Sequence, residues 1–297
     1  MVWGAEIAWY LFLAGLGAGA FAVSAWISWK YPKAKTLPKI GRIIAPIAVG
    51  IGLVLLMVDA TAGFLNPTRF FLLLSNFSSV MTWGVVILSI FMVIAMVAVV
   101  LNLLKKEVPR WLDLLGVIAA LAVATYTGVL LGVSPAFPLW NLAILPILFV
   151  VSAASSGIAA VFLVGLLVCR DELQGMDVIE KVHFGLPVIE LVLLVVLLFM
   201  TNSMGAQEGS VVAVAALASV ANLISGSYAL PFWVGLIVVG LVLPTVLQGY
   251  SLFGKKQSGD APVAVGVPAM AIASEAAVLV GGFLLRYLIV LAAIPIC

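Results

Sequence analysis

Four ionisable residues lie within long apolar stretches of the 297-residue chain: Asp59, Glu190, Glu275 and Arg286. A charged side chain near the middle of a membrane helix costs about 2.5–3.5 kcal/mol on insertion scales, so such residues usually have a function or a partner. Asp59 could accept a proton from a bound substrate, or pair with Arg286 and join two helices. Glu190 and Glu275 could relay protons, or remain protonated and hydrogen-bonded to nearby backbone carbonyls. The sequence therefore indicates proton chemistry inside a membrane, with structural burial as the alternative.

Two tyrosines, Tyr10 and Tyr126, could place phenol groups in the same layer as Asp59. A phenol can donate a hydrogen bond to a substrate oxygen. Tyrosine is also common at the interface between membrane and water, and this simpler position is the one expected for Tyr10 taken alone.

His183 is the only histidine of the chain and stands beside Lys181 at the end of an apolar stretch. We therefore expect His183 to be a solvated interfacial residue. One histidine cannot supply both axial ligands of a membrane haem, and Cys169 and Cys297 are too few and too far apart for a metal cluster. Any redox function must then use electron carriers of another subunit.

The composition specifies the environment in which these residues act. Hydrophobic residues make up 65% of the chain and charged residues 9%, and the mean hydropathy is +1.32. Soluble domains are about 45–50% apolar and about 25% charged, so this composition excludes them, and no basic surface for nucleic acid is present. Because a membrane helix needs about 20 apolar residues, charges and Gly/Pro clusters divide the chain into eight spans. These are predicted at about 6–29, 43–64, 79–103, 113–133, 141–169, 183–203, 230–253 and 268–291.

The positive charges predict the orientation of these spans. Twelve of the fourteen cationic residues fall in alternate loops. They are Lys30, Lys33, Lys35, Lys39, Arg42, Lys105, Lys106, Arg110, Arg170, Lys181, Lys255 and Lys256. Such loops face the cytoplasm, so both termini are predicted on the outer (periplasmic) side. A ninth span within 204–229 would move the last two lysines outside, so this segment is predicted to lie on the outer surface without spanning. The first residues lack the basic region of a signal peptide, so the first span is expected to be retained.

A weak internal repeat suggests how the spans are grouped. The segments LFLAGLGAGA at 11–20 and LFVVSAASSG at 148–157 both follow Leu-Phe with small residues. Small side chains let membrane helices approach closely, although they are common in any membrane helix. The predicted fold is an all-α integral membrane protein with two four-helix bundles, formed by residues 1–133 and 134–297.

Several segments, taken in order, resemble the NrfD/PsrC family, the membrane subunits of polysulfide-reductase-type molybdenum enzymes. They are YLFLAGLGAGAF at 10–21, NPTRF at 66–70 after Asp59, SSVMTWG at 78–84, TYTGVLLG at 125–132, PLWN at 138–141, PILF at 146–149, PFWVGLIVVG at 231–240 and LLRYL at 284–288. The resemblance covers essentially the whole chain. It implies eight helices in two four-helix bundles with both termini outside, in the inner membrane of a bacterium or archaeon.

The resemblance also implies a substrate and partners. Family members carry no haem and bind a quinone, here menaquinone or ubiquinone, near the outer face. They dock an extrinsic ferredoxin-like subunit with four iron–sulfur clusters, itself usually joined to a molybdopterin catalytic subunit. Carried over to this sequence, the resemblance implies that Tyr126 contacts a quinone oxygen, that Asp59 lies beside the site, and that Arg69 and Arg286 shape its outer rim. Tyr10 stands where some members have a histidine.

The expected function is thus a haem-free anchor subunit, not catalytic alone, that exchanges electrons between quinone and an iron–sulfur partner. Glu190 and Glu275 are expected to carry protons between the cytoplasm and the quinone site. The alternative is a proton-coupled secondary transporter, which buried carboxylates and an internal repeat also describe. Only Pro244 interrupts a span well inside, which disfavours the broken helices of a transporter. A pure anchor would have no use for four ionisable groups in its core.

Overall fold

The structure is a computed structural model that describes residues 3–59, 78–206, 210–254 and 266–296. The described residues form nine α-helices and no strand. The helices are α1 (Ala5–Lys30), α2 (Leu37–Asp59), α3 (Val80–Leu103), α4 (Arg110–Gly132), α5 (Leu145–Val168), α6 (Asp177–Ser203), α7 (Val211–Ile224), α8 (Leu243–Gly254) and α9 (Gly266–Leu291). A π-helix, Pro231–Val242, leads directly into α8.

Eight helical segments of the described residues are long and apolar enough to cross a membrane, which confirms the predicted number of spans. The π-helix and α8 together make the seventh of them. The remaining helix, α7, has 14 residues. Its length is about 21 Å, less than the about 30 Å of the hydrocarbon core.

Two helices begin earlier than predicted. The helix α2 starts at Leu37 rather than at 43, and α6 starts at Asp177 rather than at 183. Arg42 and His183 therefore lie inside helices, although the sequence placed them at span boundaries. The physical reason is the same in both cases, because each of these two residues has a buried acidic partner that removes the need for solvent.

The ends of helices that carry the lysine and arginine connections come together at one end of the bundle, which we call the basic end. Here the Glu172 carboxylate, just after α5, accepts hydrogen bonds at 2.8–2.9 Å from the backbone amides of Thr36 and Leu37 at the start of α2. A helix start has free amides and a partial positive charge, so a carboxylate is favoured there. Partial burial disfavours ionisation of Glu172, but these hydrogen bonds prevail and its pKa is lowered.

The other end of the bundle, which we call the opposite end, holds the first and last described residues. The rings of Trp3 and Trp140 lie 5.3 Å apart. The backbone amide of Ile296 donates a 2.8 Å hydrogen bond to the carbonyl of Ala136. The first and last described residues are therefore on the same side of the bundle.

The two repeat segments pack against each other in the centre of the fold. A Cβ atom added at Gly19 of α1 would collide with the backbone of Ala153 on α5, and one added at Gly157 would collide with the backbone of Gly19. The small residues of the repeat thus allow α1 and α5 to touch through their backbones.

This contact predicts a position-dependent effect of adding a single methyl group. Gly19→Ala is expected to destabilise the protein by about 1–3 kcal/mol, because the backbones of α1 and α5 must separate. Gly185→Ala on α6 is the matched control, since no other atom lies within 4 Å of a Cβ added there. The melting temperature of the purified protein in detergent should fall for Gly19→Ala alone. Equal melting temperatures for the two variants would contradict the packing.

Candidate functional site

The phenols of Tyr10 on α1 and Tyr126 on α4 lie close enough to interact electrostatically. Their side chains are buried, with 1% exposure for Tyr10 and 7% for Tyr126. The expectation that Tyr10 belongs to an interfacial aromatic belt is therefore wrong, because a belt residue faces lipid. The phenols face inward and can act on a bound molecule.

Glycines on two neighbouring helices make room for these rings. A Cβ added at Gly84 on α3 would occupy the position of the Tyr126 phenol. A Cβ added at Gly52 on α2 would lie 3.5 Å from Cδ2 of Tyr10. The first four helices thus converge on the two rings.

Asp59 is the last residue of α2 and follows Gly52 by two helical turns. It therefore lies about 10 Å beyond Gly52, towards the opposite end. The Asp59 side chain and all of Arg69 fall outside the part of the protein that the structure describes.

Arg286 on α9 is completely buried and contacts three helices. Its Nη1 donates hydrogen bonds at 2.9 Å to the Ser152 hydroxyl and to the Gly282 carbonyl, and its guanidinium lies 5.1 Å from the ring centre of Phe149. A Cβ added at Gly15 would lie 2.6 Å from its Nη2. Gly15 is five residues beyond Tyr10 on α1, so the guanidinium lies about 7 Å deeper than the phenols. This position is inside the bundle rather than at the outer rim expected for Arg286.

Glu190 is the middle residue of α6 and is buried. It interacts with the Ser155 hydroxyl of α5, and electrostatically with Arg286 and His183. No described carboxylate lies within ion-pair distance of Arg286, so Glu190 and Arg286 are charged neighbours rather than a direct pair.

His183 is buried with 2% exposure, so the expectation of a solvated interfacial residue is wrong. Its Nε2 lies 2.8 Å from Oε2 of Glu275 on α9, and the ring packs edge-on against Phe162. The helix α6 begins six residues before His183, which places the imidazole about 9 Å inside the bundle. The sequence did contain a signal, because His183 and Glu190 are seven residues apart and therefore share one helix face.

His183, Glu275, Glu190 and Arg286 together form what we call the buried polar array. It begins near the basic end with His183 and Glu275, continues to Glu190 at mid-helix, and ends at Arg286. Sequence analysis found three of these residues and missed the histidine.

A second buried ion pair, also missed by sequence analysis, lies at the basic end. Nη2 of Arg42 on α2 donates to both carboxylate oxygens of Asp113 on α4, at 2.6 and 2.9 Å. The Ser28 hydroxyl of α1 donates to the same carboxylate at 3.2 Å. This pair joins three of the first four helices.

An open cavity of about 320 Å³ lies at the opposite end, between the α4–α5 connection, Met204, Val212 and Ile296. Its lining includes Gly132, the last residue of α4, six residues beyond Tyr126. The cavity is thus about 9 Å further along α4 than the phenols.

The profile of the family described as "Polysulphide reductase, NrfD" matches residues 1–296. The protein belongs to this family. It is 35% identical to the C subunit of polysulfide reductase from Wolinella succinogenes over 285 residues, covering 87% of this sequence and 86% of that protein. It is 31% identical to protein NrfD of Escherichia coli over 325 residues, covering 98% and 95%. An NrfD homologue of Haemophilus influenzae is 29% identical over 282 residues, covering 83% of each protein. These matches confirm the resemblance found in the sequence.

In this NrfD-family protein the predicted site residues fall into two groups. Tyr10 and Tyr126 meet among α1 to α4, whereas Glu190, Glu275 and Arg286 belong to the buried polar array. The two groups come closest along α1, where Arg286 contacts Gly15 little more than one turn below Tyr10.

Proposed function

We propose that this NrfD-family protein is the haem-free, quinone-reactive membrane subunit of a respiratory oxidoreductase. The observation that carries the proposal is the convergence of two buried phenols, Tyr10 and Tyr126, in a bundle of membrane helices. A quinone is a flat apolar ring with two carbonyl oxygens. It requires an apolar slot with a few hydrogen-bond donors, which is the usual composition of a small-molecule site. Buried hydroxyl groups from different helices supply such donors.

Each residue has a distinct part in this proposal. The Tyr126 phenol donates a hydrogen bond to one ring oxygen of menaquinone or ubiquinone, and the Tyr10 phenol is the second donor. Oxidising a quinol releases protons, and Asp59 is the base that accepts one of them. Arg69 belongs to the outer rim, while Arg286 acts from below the site through its positive charge.

The proposal includes two partners. The open cavity at the opposite end lies beyond Tyr126 on the same helix, so a partner docked there would stand close to the quinone. We assign this partner as a ferredoxin-like subunit with four iron–sulfur clusters, joined to a molybdopterin catalytic subunit. The name of the Wolinella succinogenes relative, which gives it a letter within a reductase, supports membership of a multisubunit enzyme. By the positive-inside rule, the opposite end faces outward from the inner membrane of a bacterium or archaeon.

The direct test is labelling with a photoactivatable quinone analogue in membranes that contain the whole complex. Labelled peptides are expected from α1 around Tyr10 and from α4 around Tyr126, and unlabelled quinone should compete. The peptide that contains Tyr250 serves as an internal control, because this residue is exposed on α8. Labelling confined to exposed helix faces, without competition, would contradict the site.

The buried polar array supports a second part of the proposal, in which Glu275 and Glu190 carry protons from the basic end towards the quinone. Glu190→Gln and Glu275→Gln remove the proton carrier but keep the side-chain size. Each is expected to slow proton uptake from the basic side about 100-fold, the effect of losing a proton-transfer group. The measurement is the number of protons taken up per electron in vesicles. An unchanged ratio in both variants would rule out this route.

The same array favours a second candidate function, a proton-coupled secondary transporter. Buried acidic groups that extend inward from one surface are common to transporters and to redox proton pumps. The two functions differ in their requirement for a redox partner. Proton-coupled solute uptake by the isolated protein, together with no binding of quinone, would support the transporter. A gene for a four-cluster iron–sulfur protein beside the gene for this protein would support the oxidoreductase.

A further inference from the structure

Two buried ion pairs occupy corresponding places in the two predicted halves of the protein. Arg42 on the second span pairs with Asp113 on the fourth. His183 on the sixth span pairs with Glu275 on the eighth. Both pairs lie near the basic end, and in each the basic residue follows the start of its helix by five or six residues. The repeat that appears in α1 and α5 thus extends to an ion pair between the next and the last span of each half.

The first pair cannot exchange protons at neutral pH. Arginine stays protonated in proteins, and Asp113 accepts hydrogen bonds from both Arg42 and Ser28. A carboxylate held by a permanent cation and a hydroxyl has little tendency to gain a proton. This pair closes the first half of the bundle.

The second pair contains a residue that does exchange protons. Histidine is the side chain whose charge changes most readily near neutral pH. With Nε2 directed at the Glu275 carboxylate, Nδ1 remains as the second nitrogen, and it is buried with no hydrogen-bond partner among the described residues. The other buried atoms that lack a partner in the described ranges belong to serine, asparagine, glutamine and arginine side chains. Nδ1 of His183 is the one among them that can accept a proton near neutral pH.

The surroundings of His183 can hold water. The helix α8 packs against both α6 and α9, and its Gly249 lies against the ring of Phe184, next to His183. The adjoining Gln248 has a buried amide whose oxygen and nitrogen both lack partners in the part of the protein that the structure describes, and so does the Ser274 hydroxyl beside Glu275. Polar atoms of this kind are normally satisfied by buried water. The charged groups that face His183 are Glu275 on α9 and Glu190 on its own helix, while α5 contributes the apolar ring of Phe162.

We infer that His183 is the residue at which protons from the basic end enter the second half of the bundle, and that Arg42 and Asp113 are its sealed counterpart in the first half. A proton from water binds Nδ1, and the proton on Nε2 passes to Oε2 of Glu275. One proton enters and one leaves, so the imidazole ends neutral with its proton on the other nitrogen. Glu190 and Arg286 lie beyond this step, on the way to the quinone. The inference rests on the proton route proposed above.

The test compares two variants in vesicles that contain the assembled complex. His183→Gln keeps a hydrogen-bond donor for Glu275 but cannot carry a proton. It is expected to slow proton uptake from the basic side about 100-fold. Arg42→Lys, the matched control in the sealed pair, keeps its charge and is expected to leave the ratio of protons to electrons unchanged. His183→Arg copies the sealed pair and should show the same loss as His183→Gln.

A second measurement separates proton binding from a structural role. In the wild-type complex, infrared difference spectra after a pH step should contain imidazole bands, and the rate of proton uptake should titrate with a histidine. Both features should vanish in His183→Gln while the amount of assembled complex stays the same. An unchanged ratio and pH profile in that variant would overturn the inference and leave the Glu190 and Glu275 route standing. No uptake from the basic side by the wild-type complex would overturn both, whereas the quinone site would still stand or fall by photolabelling.

Discussion

Replacing Tyr126 by phenylalanine is expected to slow quinol oxidation by the assembled complex about 100-fold, the effect of removing one positioned hydrogen-bond donor from a reacting oxygen. The phenol ring fits against Gly84 without its hydroxyl as well as with it, so folding should be preserved. The loss should therefore fall on the chemical step. It is measured as the rate of quinol oxidation per assembled complex, with a soluble acceptor for the partner enzyme.

Tyr250→Phe is the matched control for this experiment, because the same hydroxyl is removed from a residue that is 72% exposed. Its rate of quinol oxidation should equal that of the wild type. Asp59→Asn tests the proposed base and should lower the rate by about 100-fold or more. If quinol oxidation survived in both Tyr126→Phe and Asp59→Asn, the quinone would have to bind elsewhere.

Removing Arg42 is expected to have the largest effect on stability. In Arg42→Leu the Asp113 carboxylate stays buried without its cation, and breaking a buried ion pair in this way costs about 3–5 kcal/mol. The double variant Arg42→Leu/Asp113→Leu removes both charges and should regain most of the loss, because apolar side chains often replace a buried pair without penalty. The melting temperature and the yield of folded protein measure both effects.

The comparison of single and double variants makes this prediction specific to the pair. Lys105→Leu offers a surface control, since this cation lies in an exposed connection at the same end of the bundle. It should change the melting temperature little. A double variant as unstable as Arg42→Leu would show that the contribution of Arg42 does not come from Asp113.

The number and approximate positions of the spans could be predicted from sequence because hydropathy and helix length depend on composition alone. The starts of α2 and α6 could not. Charged residues were used as span boundaries, and this rule holds only where the charge remains in water. Arg42 and His183 are neutralised by Asp113 and Glu275, which lie 71 and 92 residues away in sequence. Such distant pairing is a tertiary property.

The candidate site was predicted in its residue types but not in its geometry. Tyr10 and Tyr126 were found as candidates, yet the side of the helix on which a phenol lies depends on how α1 and α4 pack. The depth of Arg286 was also misjudged, because its position relative to α1 depends on Gly15, whose missing side chain admits the guanidinium. His183 was assigned to solvent because its neighbour Lys181 is charged, whereas the seven-residue spacing to Glu190 would have indicated a shared face.

The hydrogen bonds of Glu172 have a consequence for biogenesis. The free amides at the start of α2 receive their acceptor from a residue that is synthesised 136 positions later than Thr36. A nascent polypeptide that has released only its first four spans from the ribosome therefore still lacks the acceptor for this helix start. Fragments that stop after α4 should be trimmed by membrane proteases at 31–36, and co-expression of a fragment that begins before α5 should protect them.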